Sequence, residues 1–226
     1  SGDIFVAEGS SSDYTITVTG SERFGSLDNL QLTNTNNAET DTLSGVEEIN
    51  FGGEMASGDL SGGTTEDISG AFRVFDSDGT SLIGTETSFS DAVSTASNGN
   101  IIVIADGTTV SGDVTVDQAG ITLLGSGVDG SAASFDSTLT LDANSITVRG
   151  LDFSPAASGD TSILLKGNDS ADGAIIDENT FTGNGASDAI EVESSVTQGP
   201  NKRGLEITDN VFSGGSRGLF VNEDGN

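Results

Sequence analysis

The sequence predicts an all-β fold, a right-handed parallel β-helix (β-solenoid) with a short N-terminal capping helix, preceded by a small β-rich region. Three observations predict it. Short β-branched runs alternate with Gly, Ser, Thr, Asp and Asn, as strands joined by many turns do. Gly supplies 32 of the 226 residues while other apolar types make up only 33%, which suits a shallow core with tight corners. A segment at 176–183 repeats at 207–214.

Two regions precede the predicted solenoid. Residues 1–56 form a β-rich N-terminal region, in which Tyr14–Val18 alternates apolar and polar residues and is predicted to be a strand. Residues 57–87 form a Gly-rich connector, in which Phe72–Phe75 and 81–83 flank a turn and predict a hairpin or a loop between modules.

The third region, residues 88–226, is predicted to be the parallel β-helix, and we expect it to continue beyond residue 226. It opens with a short amphipathic helix at 89–96, which Ser88 or Ser90 can cap. The helix is expected to cover the open end of the first coil, where unpaired strand edges would invite aggregation. The apolar residues on one face of this helix are Phe89, Ala92, Val93 and Ala96.

Strands follow this helix with no further helical segment, which excludes alternating strands and helices. The predicted strands are 101–105, 114–116, 121–124, 139–141, 146–148, 163–165, 174–176, 190–192, 205–207 and 219–221. Loops of variable length between constant strands are typical of a solenoid, because insertions bulge out without disturbing the stack.

The repeat also predicts which residues stack. Coils lie about 4.8 Å apart, so equivalent residues form columns. One predicted inward column contains Leu123, Val148, Ile176 and Ile207, and a second contains Phe153, Phe181 and Phe212. Asn179 and Asn210 also coincide, which predicts a structural asparagine ladder between turns; a ligand-binding role for this pair is the alternative.

Composition excludes several partners. The chain has 36 acidic and 7 basic residues, a net charge of −29, which repels nucleic acid and anionic membranes. No apolar run is long enough to insert into a membrane. The charge suits calcium-containing or high-salt surroundings, or else provides an acidic surface that keeps the protein in solution. The absence of Cys and His removes disulfides and the commonest general base and zinc ligand.

Two parts of the sequence resemble known protein families. From Ser88 onward, the helix, the strands up to 121–125 and the Asn-x-Phe-x-Gly turns at 179–183 and 210–214 resemble the pectate-lyase-like β-helix superfamily. Residues 41–51, Asp-Thr-Leu-Ser-Gly-Val-Glu-Glu-Ile-Asn-Phe, resemble a segment common beside the calcium-binding repeats of repeats-in-toxin proteins. Those repeats themselves are missing, so the resemblance implies only the context of a large, acidic, secreted bacterial protein.

Enzymes of the pectate-lyase-like fold abstract a proton beside a uronate carboxylate and need a base, an acid and a neutralising cation. Within the solenoid, Arg149 and Lys166 are the candidate catalytic residues, and they could lie close together on adjacent strands or coils. The Tyr-Gly-x-Asp-Pro-His type of motif found in mannuronan epimerases is missing. The residues therefore favour a non-catalytic chain over a lyase or epimerase.

Calcium is the candidate cofactor, at two places. Asp76 and Asp78 open an Asp-x-Asp-Gly segment like a calcium loop, and Asp169 with Asp172 is a similar case. Both segments are also common turn sequences, and a simple turn is the alternative interpretation.

We therefore expect an extracellular structural or assembly module of a large bacterial surface, matrix, filament or adhesin protein. The expected partner is another copy of the chain, in a homo-oligomer or filament. The alternatives are a carbohydrate-active β-helix, either a polysaccharide lyase or a uronate epimerase, and a module that binds extracellular polysaccharide.

Overall fold

A computed structural model shows an all-β chain with one short helix. It describes residues 4–7, 14–18, 30–43, 48–51, 64–67, 71–79, 81–105, 107–125, 132–167, 171–193 and 204–222.

Before the predicted hairpin, the described residues form six short strands in two small sheets, of which the sixth lies in the predicted connector. They are β1 (Ile4–Ala7), β2 (Tyr14–Val18), β3 (Leu30–Asn34), β4 (Thr40–Leu43), β5 (Glu48–Phe51) and β6 (Thr64–Asp67). Strands β2, β3 and β4 form an antiparallel meander. Strand β5 pairs in parallel with β1 and antiparallel with β6. The predicted strand at Tyr14–Val18 is confirmed.

The predicted hairpin consists of β7 (Phe72–Phe75) and β8 (Leu82–Glu86). It is followed by helix α1 (Phe89–Thr95), and the Ser88 hydroxyl accepts a hydrogen bond from the Asp91 amide as an N-cap. Strand β7 pairs antiparallel with β9 (Ile101–Ile104), so the hairpin extends the first sheet of the solenoid.

Strands β9 to β23 wind through three parallel sheets in turn. After β9 they are β10 (Thr109–Val110), β11 (Val114–Val116), β12 (Thr122–Gly125), β13 (Ser134–Phe135), β14 (Leu139–Leu141), β15 (Thr147–Arg149), β16 (Asp152–Phe153), β17 (Thr161–Leu165), β18 (Ile175–Asp177), β19 (Thr180–Thr182), β20 (Asp188–Val192), β21 (Glu206–Thr208), β22 (Val211–Ser213) and β23 (Arg217–Val221). The solenoid and all ten predicted strands are confirmed, with strand ends that agree within two residues.

The three sheets enclose the core. The long sheet has the order β21-β18-β15-β12-β9-β7-β8. The Phe sheet has the order β10-β13-β16-β19-β22, and the third sheet has the order β11-β14-β17-β20-β23. The predicted column is confirmed in the long sheet, where Leu123 aligns with Val148, then Ile176, then Ile207.

The second predicted column is a stack of phenylalanine rings inside the Phe sheet. Ring centroids are 5.0 Å apart from Phe153 to Phe181 and from Phe181 to Phe212, with planes tilted by 11° and 7°. Phe135 extends the stack at 5.2 Å, and Phe89 of α1 covers Phe135 edge-on at 5.2 Å. The expectation that the helix covers the first coil is therefore confirmed.

One part of the sequence interpretation is wrong. The Asn-x-Phe-x-Gly segments were expected to be turns, but their central residues form strands β19 and β22 of the Phe sheet. These strands have only three residues each, so they show too little alternation to be recognised from the sequence. Phe135 was missed because it lies only 18 residues before Phe153, whereas the later steps of the column are 28 and 31 residues.

A tight corner joins the long sheet to the Phe sheet in successive coils. Gly150, Glu178 and Asp209 occupy equivalent positions there, with φ of 70°, 54° and 51°. Glycine adopts this left-handed conformation without a steric penalty, whereas the two acidic residues bear one. The corner is kept because it places the next residue, Leu151 or Asn179, inside the coil.

Candidate functional site

The asparagine ladder predicted at the corner is present. The Asn179 side chain accepts a hydrogen bond from the Leu151 amide at 3.0 Å and donates to the Val148 carbonyl at 3.0 Å and to the Asn210 Oδ1 at 3.1 Å. Asn210 in turn donates to the Ile176 carbonyl at 2.8 Å. Asn179 is buried, and each of these bonds satisfies a neighbouring coil, so the pair holds the stack together.

Arg149, the first candidate catalytic residue, is engaged in an ion pair. It is the last residue of β15, and its Nε lies 3.0 Å from Glu178 and 3.4 Å from Asp177 in the next coil. The hydrogen bond to Glu178 raises the pKa of Arg149, against the opposing effect of its partial burial. A guanidinium held in its charged form cannot act as the base that takes a proton from a uronate.

Lys166, the second candidate, follows β17 in the third sheet, whereas Arg149 belongs to the long sheet. Its Nζ lies 3.1 Å from Oε1 of Glu193, and the other oxygen of Glu193 accepts a bond from the Gly167 amide at 3.3 Å. This ion pair joins neighbouring coils beside the third sheet, as the ion pair of Arg149 does in the long sheet. The structure therefore does not place the two cations in one sheet, and their described contacts are those of structural ion pairs.

Three of the four candidate calcium residues lie in or beside turns: Asp76, Asp78 and Asp172. Oδ1 of Asp76 accepts the Ser81 amide at 3.1 Å, and its carbonyl accepts the Gly79 amide at 3.0 Å, closing the turn that contains Asp78. The Asp172 carbonyl accepts the Ser145 amide at 2.7 Å. Asp169 lies outside the described residues. Within the described ranges, no group of three or more acidic, His or Cys side chains could hold a metal ion.

Sequence reasoning missed a cluster on the last coil. Arg217 of β23 forms a bidentate pair with Asp188 of β20, at 2.8 Å from Nε and 2.5 Å from Nη2. Its guanidinium also lies 3.5 Å from the centre of the Phe220 ring. Hydrogen bonding to Asp188 raises the pKa of Arg217. Asp188 and Arg217 are 29 residues apart, which is about the length of one coil. That spacing was the only signal in the sequence that could have predicted this pair.

The last coil that the structure describes consists of β21, β22 and β23, and we call its outer side the end face. Residues that continue inward columns are buried in earlier coils, but here they reach solvent. Phe212 is 43% exposed and Leu219 is 49% exposed, whereas Phe181 and Ile190 one coil earlier are 1% and 0% exposed. Val221 is exposed as well. The end face therefore presents apolar core residues beside strand edges.

A shallow cavity of about 150 Å³ lies at this end, between the last two coils. Its lining includes Phe181, Phe212, Gly183, Gly215 and Gly218. A Cβ on Gly183 would lie only 2.3 Å from the Cα of Gly215, so only glycine lets the two coils approach this closely. The cavity lies beside the exposed Phe212 ring, where these glycines pack closely.

Comparison with protein-family models, with curated proteins and with solved structures finds no match to this chain. The solenoid fold is therefore supported by the strand pairing in the structure alone. The resemblances to the pectate-lyase-like superfamily and to repeats-in-toxin proteins stay predictions. Within the part of the chain that the structure describes, no helix is long and apolar enough to cross a membrane.

The ion pairs at Arg149 and Lys166 lead to a prediction about catalysis. Incubated with pectate or alginate plus calcium, the protein is expected to produce no ultraviolet absorbance from unsaturated uronate. Absorbance that rises and persists in the Arg149→Ala and Lys166→Ala variants would show an activity that does not depend on these two residues, and would contradict the prediction. A rise that either substitution abolishes would contradict the structural interpretation and favour a lyase.

Proposed function

We propose that the chain is a structural module of a large extracellular bacterial protein and that it associates with further copies of itself. The observation that carries the structural role is that polar side chains of the described solenoid bind residues of neighbouring coils, as Asn179 binds Asn210 and Arg149 binds Glu178.

The packing of the solenoid supports a structural role. Asn179, Arg149, Lys166 and Arg217 each bind a residue of a neighbouring coil, so the polar side chains that could have served chemistry instead join coils. Stacked Phe rings do the same inside the core. Such repeated contacts between neighbours give an elongated, stiff unit.

The charge of the chain supports an extracellular setting in which cations are abundant. A net charge of −29 makes copies repel one another at low ionic strength. Salt at 0.15 M screens charges beyond about 8 Å, and calcium can bridge carboxylates. Association of copies is therefore expected to strengthen with salt, and more with calcium than with sodium at equal ionic strength.

Sedimentation velocity tests the self-association. The chain should sediment as an oligomer whose mass grows with concentration at 0.15 M salt, and this mass should fall at low salt, where the acidic copies repel one another. Sodium chloride at the ionic strength of the calcium buffer is the matched control for a specific effect of calcium. A monomer under all of these conditions would contradict the proposed self-association.

A further inference from the structure

We propose that the outer face of the Phe sheet binds a neutral, extended glycan that lies along the solenoid axis, with one sugar ring in a cavity beside α1. Hydroxyl and carboxylate side chains at β10, β13, β16 and β19 form this face. We call them the polar strip: Thr109 and Ser111, Ser134 and Asp136, Asp152 and Ser154, and Thr180 and Thr182. This inference does not rest on self-association of the chain.

The strand pattern of the Phe sheet places the polar strip on the outside. The residue between the two members of each pair is buried, and successive side chains of a strand point to opposite faces, so both members face outward. Strand pairing aligns Thr109 with Ser134, then with Asp152 and then with Thr180. The strip therefore repeats a hydrogen-bonding group at about 4.8 Å along the axis and at about 6.7 Å across it.

The repeat along the axis suits an extended glycan. A glycan with equatorial linkages advances by nearly one coil spacing per ring, so successive rings meet equivalent groups of successive coils. Every group in the strip can hydrogen-bond a sugar hydroxyl, because Ser and Thr donate and accept and Asp accepts.

Part of the polar strip is already ordered by its own hydrogen bonds. The hydroxyls of Thr109 and Ser134 lie 3.0 Å apart, and the Ser111 hydroxyl donates to a carboxylate oxygen of Asp136 at 2.8 Å. Each of these groups keeps further donor or acceptor capacity for a ligand. Side chains that are held in place in this way lose less conformational entropy when a ligand binds.

A cavity of about 260 Å³ lies at the first coil of the strip. Thr109 and Ser111 line the cavity and also begin the strip, so the two are continuous. None of the described residues that line the cavity is charged, although the chain has a net charge of −29. A pyranose ring has hydroxyls at its rim and C–H groups on its faces, and it therefore matches a lining of hydroxyls and apolar side chains. The other lining residues include two hydroxyls and two aromatic rings: Thr87, Ser90, Phe72 and Phe89.

Charge determines the class of glycan. The polar strip contains two carboxylates, Asp136 and Asp152, and no basic residue. An anionic glycan such as a uronate polymer is repelled by these carboxylates and by the charge of the whole chain. The hydroxyls of a neutral glycan instead donate hydrogen bonds to them. The ligand class therefore differs from the uronates that the pectate-lyase-like resemblance implies.

Calorimetric titration of the full chain with glucose, cellobiose, cellotetraose and cellohexaose tests the site, at 0.15 M sodium chloride. Affinity should rise with length, because each added ring meets another coil, and cellohexaose should bind about tenfold more tightly than cellobiose. The hexamer of cellouronate has the same linkage but carries a carboxylate on every ring. It should bind about tenfold more weakly than cellohexaose.

Two substitutions locate the binding on this face. Thr180→Val removes one hydroxyl of the strip and keeps the β-branched side chain, so cellohexaose binding should weaken about fivefold, the factor that corresponds to one hydrogen bond. Thr115→Val is its matched control, since Thr115 is an exposed residue of β11 in the third sheet. Ser90→Phe should obstruct the cavity and weaken binding by about tenfold. Ser94→Phe is on the same helix but outside the cavity lining, and should leave binding unchanged.

The inference is supported if affinity grows with length and falls in Thr180→Val and Ser90→Phe but not in their controls. It is overturned if none of cellohexaose, xylohexaose and mannohexaose binds, or if affinity is the same for glucose and cellohexaose. Tighter binding of the cellouronate hexamer, or an equal loss in variants and controls, also overturns it. Sedimentation tests self-association separately, so the failure of one proposal leaves the other standing.

Discussion

Phe181→Ala is expected to lower the free energy of unfolding by about 3–5 kcal/mol, as large-to-small substitutions of buried aromatic residues do. Phe181 is 1% exposed and stacks between Phe153 and Phe212 at 5.0 Å on each side. Removing its ring leaves a cavity that the flanking coils cannot close, because their spacing is fixed by backbone hydrogen bonds. Urea unfolding followed by circular dichroism measures the loss.

Phe212→Ala is the matched control for this substitution. It removes the same ring from the same column, but Phe212 is 43% exposed at the end face, so its loss leaves an open notch rather than a closed cavity. We expect less than half the effect of Phe181→Ala when the protein is monomeric. Equal effects at both positions, or a loss below about 1 kcal/mol at Phe181, would contradict the stacked core.

Asn179→Ala is the second substitution with a large expected effect. It deprives the Leu151 amide of its partner and removes a second buried bond, to the Val148 carbonyl. An unsatisfied buried polar group costs about 1–3 kcal/mol and a lost hydrogen bond about 1 kcal/mol, so the free energy of unfolding should fall by about 2–4 kcal/mol. The measurement is urea unfolding, with hydrogen exchange of the Leu151 amide as a local readout.

Asn210→Ala tests whether burial causes that loss. Asn210 makes similar bonds, to Asn179 and to the Ile176 carbonyl, but lies half-buried on the last coil, where water can replace it. About 1 kcal/mol is expected there. If Asn179→Ala were equally mild and the Leu151 amide stayed protected, the ladder would not be holding the corner.

Much of the solenoid could be predicted because stacking makes its repeat visible in the sequence. A residue such as Val148 aligns with Ile176 of the next coil in strand pairing, so both positions must satisfy the same core environment. The steps between coils vary, but the strand pattern between loops does not. The cap of α1 was also readable, since Ser88 and the apolar face lie at fixed local spacings.

The candidate site was predicted less well, because it depends on contacts between residues far apart in the sequence. Arg149 and Lys166 were chosen as cations that could serve catalysis. Their partners, Glu178 and Glu193, lie 29 and 27 residues away, and only the register of neighbouring coils brings them together. With 36 acidic residues in the chain, the sequence contains too many possible partners to select these.

The sequence by itself determined the repeat, the inward columns, the asparagine ladder and the helix over the first coil, since each depends on side-chain type at a regular or local spacing. Only the tertiary structure decided three other features. Strand β7 pairs with β9 and so extends the long sheet. The short strands that carry the Phe column form a separate sheet. Phe212 and Leu219 are exposed although they continue columns that are buried in earlier coils. The physical reason is that a residue type encodes a preference for burial, whereas burial itself requires a neighbouring coil.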